Sequence, residues 1–157
     1  MRINKNKTAL YLYAALLLIF GVFKFYGGIN AVISTIEYNW YCVESFKLTH
    51  YFPMNLVPFR TIIGYLKDFP GETAVVNLFA YIVLFSPLGF LLPFAYQKFT
   101  SLKRFLVTAC IIAVCCEVLQ LITFTGTLDI DDCILAVCGC LIGYTVYHVF
   151  NGKHEQK

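Results

Sequence analysis

The stretch Cys115–Asp132, CCEVLQLITFTGTLDIDD, starts deep inside an apolar run and ends in three acidic residues. Glu117 and Gln120 are three positions apart, so on a helix they share one face. Their neighbours are Val, Leu, Ile and Phe. A charge at the centre of a helix in lipid costs roughly 2.5–3.5 kcal/mol on insertion scales. A chain that keeps Glu117 there is expected to give it a partner or water. The run that contains it, Phe105–Phe124, makes about 30 Å of helix, which is one bilayer core.

The rest of the composition agrees with a membrane protein. Hydrophobic residues make up 59% of 157 and charged residues 13%, against roughly 25% charged in soluble domains. The length suits one small helical bundle and no sizeable soluble domain. A net charge of +3 is too small to argue for a nucleic-acid partner. The seven cysteines include no CxxC pair, and most sit in apolar runs, where free Cys acts as a small hydrophobe. Zinc-type spacing is absent. Only Cys42 and Cys133 are placed to face the outside together, so a disulfide is open for that pair alone.

Outward from Glu117, four apolar runs give an all-α polytopic membrane bundle of four transmembrane helices with an interfacial outer loop. The spans are expected at about 9–25, 74–96, 105–124 and 133–150, in one domain covering 1–157. The basic opening MRINKNK resembles a signal peptide, but the apolar run is overlong and no A-x-A site follows, so an uncleaved first span is expected. Pro87 and Pro93 lie inside the second span, and Pro87 should kink it near mid-bilayer. The outer loop, 26–73, is broken by Gly27-Gly28, Pro53, Pro58 and Pro70-Gly71. It is dense in aromatics, among them Tyr38, Trp40, Tyr41, Phe46 and Phe59. Trp and Tyr favour the headgroup level, which places this loop on the membrane surface. Ile29–Tyr38 and Thr61–Phe69 are candidate short interfacial helices.

With the N-terminus inside, the inner segments hold Arg2, Lys5, Lys7, Lys98, Lys103, Arg104, Lys153 and Lys157, eight of the twelve basic residues. The positive-inside rule is then obeyed, with both termini cytoplasmic and the chain multi-pass in the plasma membrane. Asn77, Tyr81, Glu117 and Gln120 fall at similar depth in the outer half of the bundle. They form either an outward-opening polar pocket or interhelical hydrogen-bond glue, each bond contributing about 0.6 kcal/mol.

Asp129, Asp131 and Asp132 precede the fourth span. Asp129 is a natural N-cap and acids in a first turn complement the helix dipole. A charge partner is the second account, with Arg60 from the outer loop as candidate. A hard cation is the third, although no metal ligand set is assigned and no cofactor is expected. Gly139 and Gly143 form GxxxG, a close-approach face for packing inside the bundle or for a homodimer. His50, His148 and His154 stand apart from any ligating or triad pattern. Walker, G-x-S-x-G and H-E-x-x-H motifs are absent.

Several strings together resemble the VanZ-like family. They are Asn55-Leu-Val-Pro-Phe59, Asn77-Leu-Phe, Pro87-Leu-Gly89-Phe90, Glu117-Val-Leu-Gln120 and Asp129-Ile-Asp-Asp132 leading to Gly139 and Gly143. They occur in the expected order from about residue 10 to 148. The resemblance implies a polytopic membrane protein of a family named for a teicoplanin-resistance determinant. The chain departs from the family pattern twice. An Arg often found before the Asp motif is replaced within Thr125-Gly126-Thr127, and an expected Asn is Ala136.

Three functions of different classes follow. The first is a non-enzymatic protein that affects envelope susceptibility to lipoglycopeptides such as teicoplanin, with the lipid bilayer and a lipoglycopeptide or lipid-linked envelope component as partners. The second is a membrane enzyme acting on a lipid-linked or headgroup substrate, with Glu117 as acid or base; no nucleophile–base pair is evident for it. The third is a transporter component with Glu117 as carrier, against which stand four spans and no visible internal repeat.

Overall fold

In lipid, each segment must satisfy its own backbone hydrogen bonds, so long apolar runs become helices. The computed structural model describes residues 5–23, 28–50, 52–69 and 71–152, with the backbone alone described at 49, 72–75, 77 and 152. Arg2, Lys24, Lys153, Lys157 and His154, and the end of the expected first span, lie outside the described residues, as does the side chain of Asn77.

Among the described residues, three helices are long and apolar enough to cross a membrane: Leu78–Ala95, Leu102–Ile122 and Ile130–Asn151. They belong to α5 (Glu72–Ala95), α6 (Leu102–Ile122) and α7 (Ile130–Gly152). An N-terminal helix, α1 (Lys5–Leu17), continues as a five-residue π turn, Leu18–Val22. The all-α expectation holds for these helices, and the helices start earlier than expected. Lys103 and Arg104 join the first turn of α6, because long basic side chains reach water while their backbone stays helical. Asp131 and Asp132 likewise fall inside α7 instead of before it.

α5 and α7 share the most extensive helix contact. Gly139 and Gly143 make it possible. A Cβ at Gly139 would collide with the Ile82 carbonyl, and one at Gly143 with the Ser86 carbonyl; Gly89 of α5 meets the Cys140 carbonyl in the same way. Between helices in lipid, such close approach supplies the van der Waals contact that holds them. A homodimer through these two glycines would therefore have to displace α5. Around this seam Phe85, Phe105, Ala109, Ala136 and Cys140 form the core.

α5 runs through both Pro87 and Pro93 as one helix. In the turn before Pro87, neighbouring helices donate to its carbonyls: Tyr13 Oη to Leu84 O and Cys140 Sγ to Phe85 O. α1 lies antiparallel to α5, with Asn6 level with Phe94 and Tyr13 level with Leu84.

The segment between the first two expected spans is more ordered than its sequence suggests. α2 (Gly28–Glu44) extends past the expected Tyr38, and α3 (Phe46–Thr49) follows it. α4 covers Arg60–Lys67. Between α3 and α4, β1 (Met54–Asn55) pairs in parallel with β2 (Leu128–Asp129), Asn55 opposite Asp129. This two-residue ladder was not foreseen, since neither strand carries an alternating pattern. All seven cysteines are free, so the Cys42–Cys133 bridge is not formed. Cys42 is buried on the inner stripe of α2, and Cys133 lies one turn into α7 beside α6.

Candidate functional site

α6 ends in a Schellman turn: Thr125 N–H donates to Gln120 O (3.1 Å) and Phe124 N–H to Leu121 O (3.3 Å). Phe124 takes the left-handed position at φ 58°, where a non-glycine residue costs roughly 1–2 kcal/mol. Asn39 of α2 offsets that cost. Its Nδ2 donates to Phe124 O (2.9 Å) and Gly126 O (3.2 Å), and Trp40 meets the Phe124 ring edge-on at 5.4 Å.

The turn brings the last face of α6 against the π turn of α1. Gln120 Nε2 donates to Gly21 O at 2.8 Å, and Thr125 Oγ1 to Val22 O at 2.8 Å. A π turn leaves carbonyls outside the regular ladder, and such turns are frequent at functional sites. Gln120 Nε2 also faces Tyr81 Oη (3.1 Å) and Glu117 Oε1 (3.3 Å). Tyr81 Oη donates toward Glu117 Oε1 at 3.2 Å, and the same hydroxyl lies against Asp132. Glu117 is 2% exposed and Gln120 0%. Among the described residues, Gln120 Oε1 has no hydrogen-bond partner; it abuts Gly126, where a Cβ would collide with it.

Glu117 then links this cluster to the aspartates, its Oε2 accepting the Asp129 N–H at 3.0 Å. Asp129 Oδ1 accepts from Asn55 Nδ2 (3.1 Å) and from Asp131 N–H (2.9 Å), the bond of a helix N-cap. Its Oδ2 accepts from Thr61 Oγ1 at 2.6 Å. Asp131, fully buried, accepts the N–H groups of Phe59 (2.5 Å), Thr61 (2.8 Å) and Ile62 (3.1 Å). It therefore caps the N-terminus of α4 from another helix, and its charge meets the positive end of that helix.

The structure thus brings together Asn55, Tyr81, Glu117, Gln120, Asp129, Asp131 and Asp132. Arg60, the expected charge partner, does not join them: its side chain is exposed, and backbone amides at the start of α4 take its place. Gly89, Gly139 and Gly143 serve helix packing, whereas Pro87, expected to join them, is exposed on α5. Asn39, Thr61 and Thr125 complete the network and were not singled out from sequence. A polar residue inside the aromatic run Tyr38–Tyr41 was the one local sign of Asn39. Thr61 had none, and Thr125 stands in the stretch where the chain departs from the family pattern.

Among the described residues, no group of three or more His, Cys, Asp or Glu side chains is placed to hold a metal ion. His50 lies against Phe46, and His148 lies against Tyr144 and Tyr147 far along α7. Two apolar clefts flank α6, of about 250 Å³ toward α1 and about 320 Å³ toward α7. The second is lined by Ile130 and Cys133, the neighbours of Asp131 and Asp132.

No curated protein and no solved structure matches the chain. A family model described as VanZ/LLP1 matches residues 10–151. That span includes α5, α6 and the network at their ends, and the chain belongs to the VanZ/LLP1 family.

Proposed function

We propose that this protein lowers the susceptibility of the cell envelope to lipoglycopeptide antibiotics of the teicoplanin type, acting without catalysis at the outer face of the plasma membrane. Four spans, with both termini cytoplasmic, are part of the proposal. In support of the fourth span, α1 runs beside α5 from the level of Phe94 to the π turn beside Gln120. In support of the orientation, Lys7 and Lys98 flank the Tyr96 ring at 4.8 and 5.9 Å. They gather with Lys103 and Arg104 at the end of the bundle opposite the acidic network, as the positive-inside rule requires of a cytoplasmic end.

One observation carries the function. Three of the strings that mark the family resemblance, those holding Asn55, Glu117-Gln120 and Asp129–Asp132, converge in a single buried network. Polar groups buried inside a membrane protein mark function by default. The apolar cleft beside Ile130 and Cys133 adds a seat for an aliphatic chain next to that network, as an amphiphile of the outer leaflet would need.

The test is teicoplanin and daptomycin susceptibility of cells carrying wild type, Glu117→Gln or Asp131→Asn/Asp132→Asn at matched membrane levels. Raised tolerance with wild type that the variants lose supports the proposal. Wild type indistinguishable from empty vector ends it.

A further inference from the structure

The segment from Pro53 to Phe69 turns much of its apolar surface outward. Leu56, Val57, Phe59, Ile63 and Leu66 are 60%, 56%, 53%, 48% and 55% exposed. Ile63 and Leu66 share one face of α4 by helical spacing, with Phe59 at its N-cap, while Ile62 at the inner edge of that face joins the core. An apolar ridge of this kind left in water marks an interaction surface or an aggregation liability.

Its place in the fold identifies the occupant. Asp131, in the first turn of the span Ile130–Asn151, holds the start of α4, and β1 pairs with the residues just before that span. The ridge therefore sits at the level where a span ends. The backbone gives a second, independent indication. The Val57 N–H is taken by Asn55 Oδ1 at 3.2 Å, and the N–H groups of Phe59, Thr61 and Ile62 are taken by Asp131. Beside hydrocarbon each must find a protein acceptor, because an unsatisfied group there costs several kcal/mol. Arg60 and Lys67 supply the third. Both are exposed along one edge of the ridge, as basic side chains reaching for phosphates would be.

We infer that the Leu56–Leu66 ridge is seated in the lipid headgroup layer, with its apolar side chains toward the acyl chains and Arg60 and Lys67 toward the phosphates. Asp131 is the clamp that fixes the ridge to the bundle. The inference is independent of the proposed antibiotic effect and of which leaflet the ridge faces.

The full chain is reconstituted in phosphatidylcholine vesicles with Trp40→Phe and a single reporter, Leu56→Trp or Leu66→Trp. Both reporter positions are exposed, so the core is left alone. Only variants that co-elute with the parent are read. Blue-shifted emission that loses more than half its intensity to lipids brominated high on the chain, and less to lipids brominated near the terminal methyl, is the expected result. Water-like emission untouched by bromine would overturn the inference. So would blue-shifted emission that bromine leaves unchanged, since the ridge would then be covered by protein, including a second copy of this chain.

Discussion

The Asp131 carboxylate of α7 accepts the backbone N–H of Thr61 in α4 at 2.8 Å, across 70 residues of chain. With Phe59 and Ile62 it makes one side chain the cap of a helix it does not belong to. Removing it should release α4. Asp131→Ala leaves three N–H groups without their acceptor, each costing about 1–3 kcal/mol if it stays buried. Trypsin is expected to cut Asp131→Ala after Arg60 and Lys67 faster than wild type, in detergent micelles below the melting temperature. Asp131→Asn keeps one acceptor oxygen and should fall between the two.

Gly143 faces the Ser86 carbonyl so closely that a methyl group cannot enter without parting α5 from α7. Gly143→Ala should destabilise the bundle by about 1–3 kcal/mol, the usual range for overpacking. Gly64, inside α4, has open space where its Cβ would lie. There, Gly64→Ala should be neutral or stabilise by up to about 1 kcal/mol through helix propensity. Thermal unfolding of the two variants side by side measures the contrast.

Glu117 joins two halves of the network, accepting the Asp129 N–H with one oxygen and facing Tyr81 and Gln120 with the other. Glu117→Leu fills similar space but strands the Asp129 N–H and takes one acceptor from Tyr81 and from Gln120, which keep Asp132 and the Gly21 carbonyl, and should cost about 1–3 kcal/mol for the stranded N–H. Glu117→Gln keeps an acceptor for Asp129 and should cost less. Equal melting temperatures for wild type and Glu117→Leu would show the network to be energetically idle.

Asn39 holds the 124–126 turn through two carbonyls, and Trp40, the single tryptophan of the chain, touches the Phe124 ring. Asn39→Ala should loosen the turn and change Trp40 emission, with a stability loss of about 1 kcal/mol for each hydrogen bond removed. Asn30→Ala, on an exposed part of the same helix, should leave the emission as it is.

Which parts of this molecule were legible in its sequence follows from the range of the forces involved. α5, α6 and α7 announce themselves, because a long apolar run in lipid has to become a helix whatever its neighbours do. The shared face of Glu117 and Gln120 and the capping role of Asp129 are equally local, set by helical spacing and by a bond two residues long. Only the tertiary structure decided that Asp131 caps α4, that Arg60 stays outside the acidic cluster and that Asn39 supports the Phe124 turn. It also decided that Gly139 and Gly143 receive α5. Those relationships join residues tens of positions apart through two or three hydrogen bonds or through backbone contacts, and such pairings leave no periodic trace in either segment.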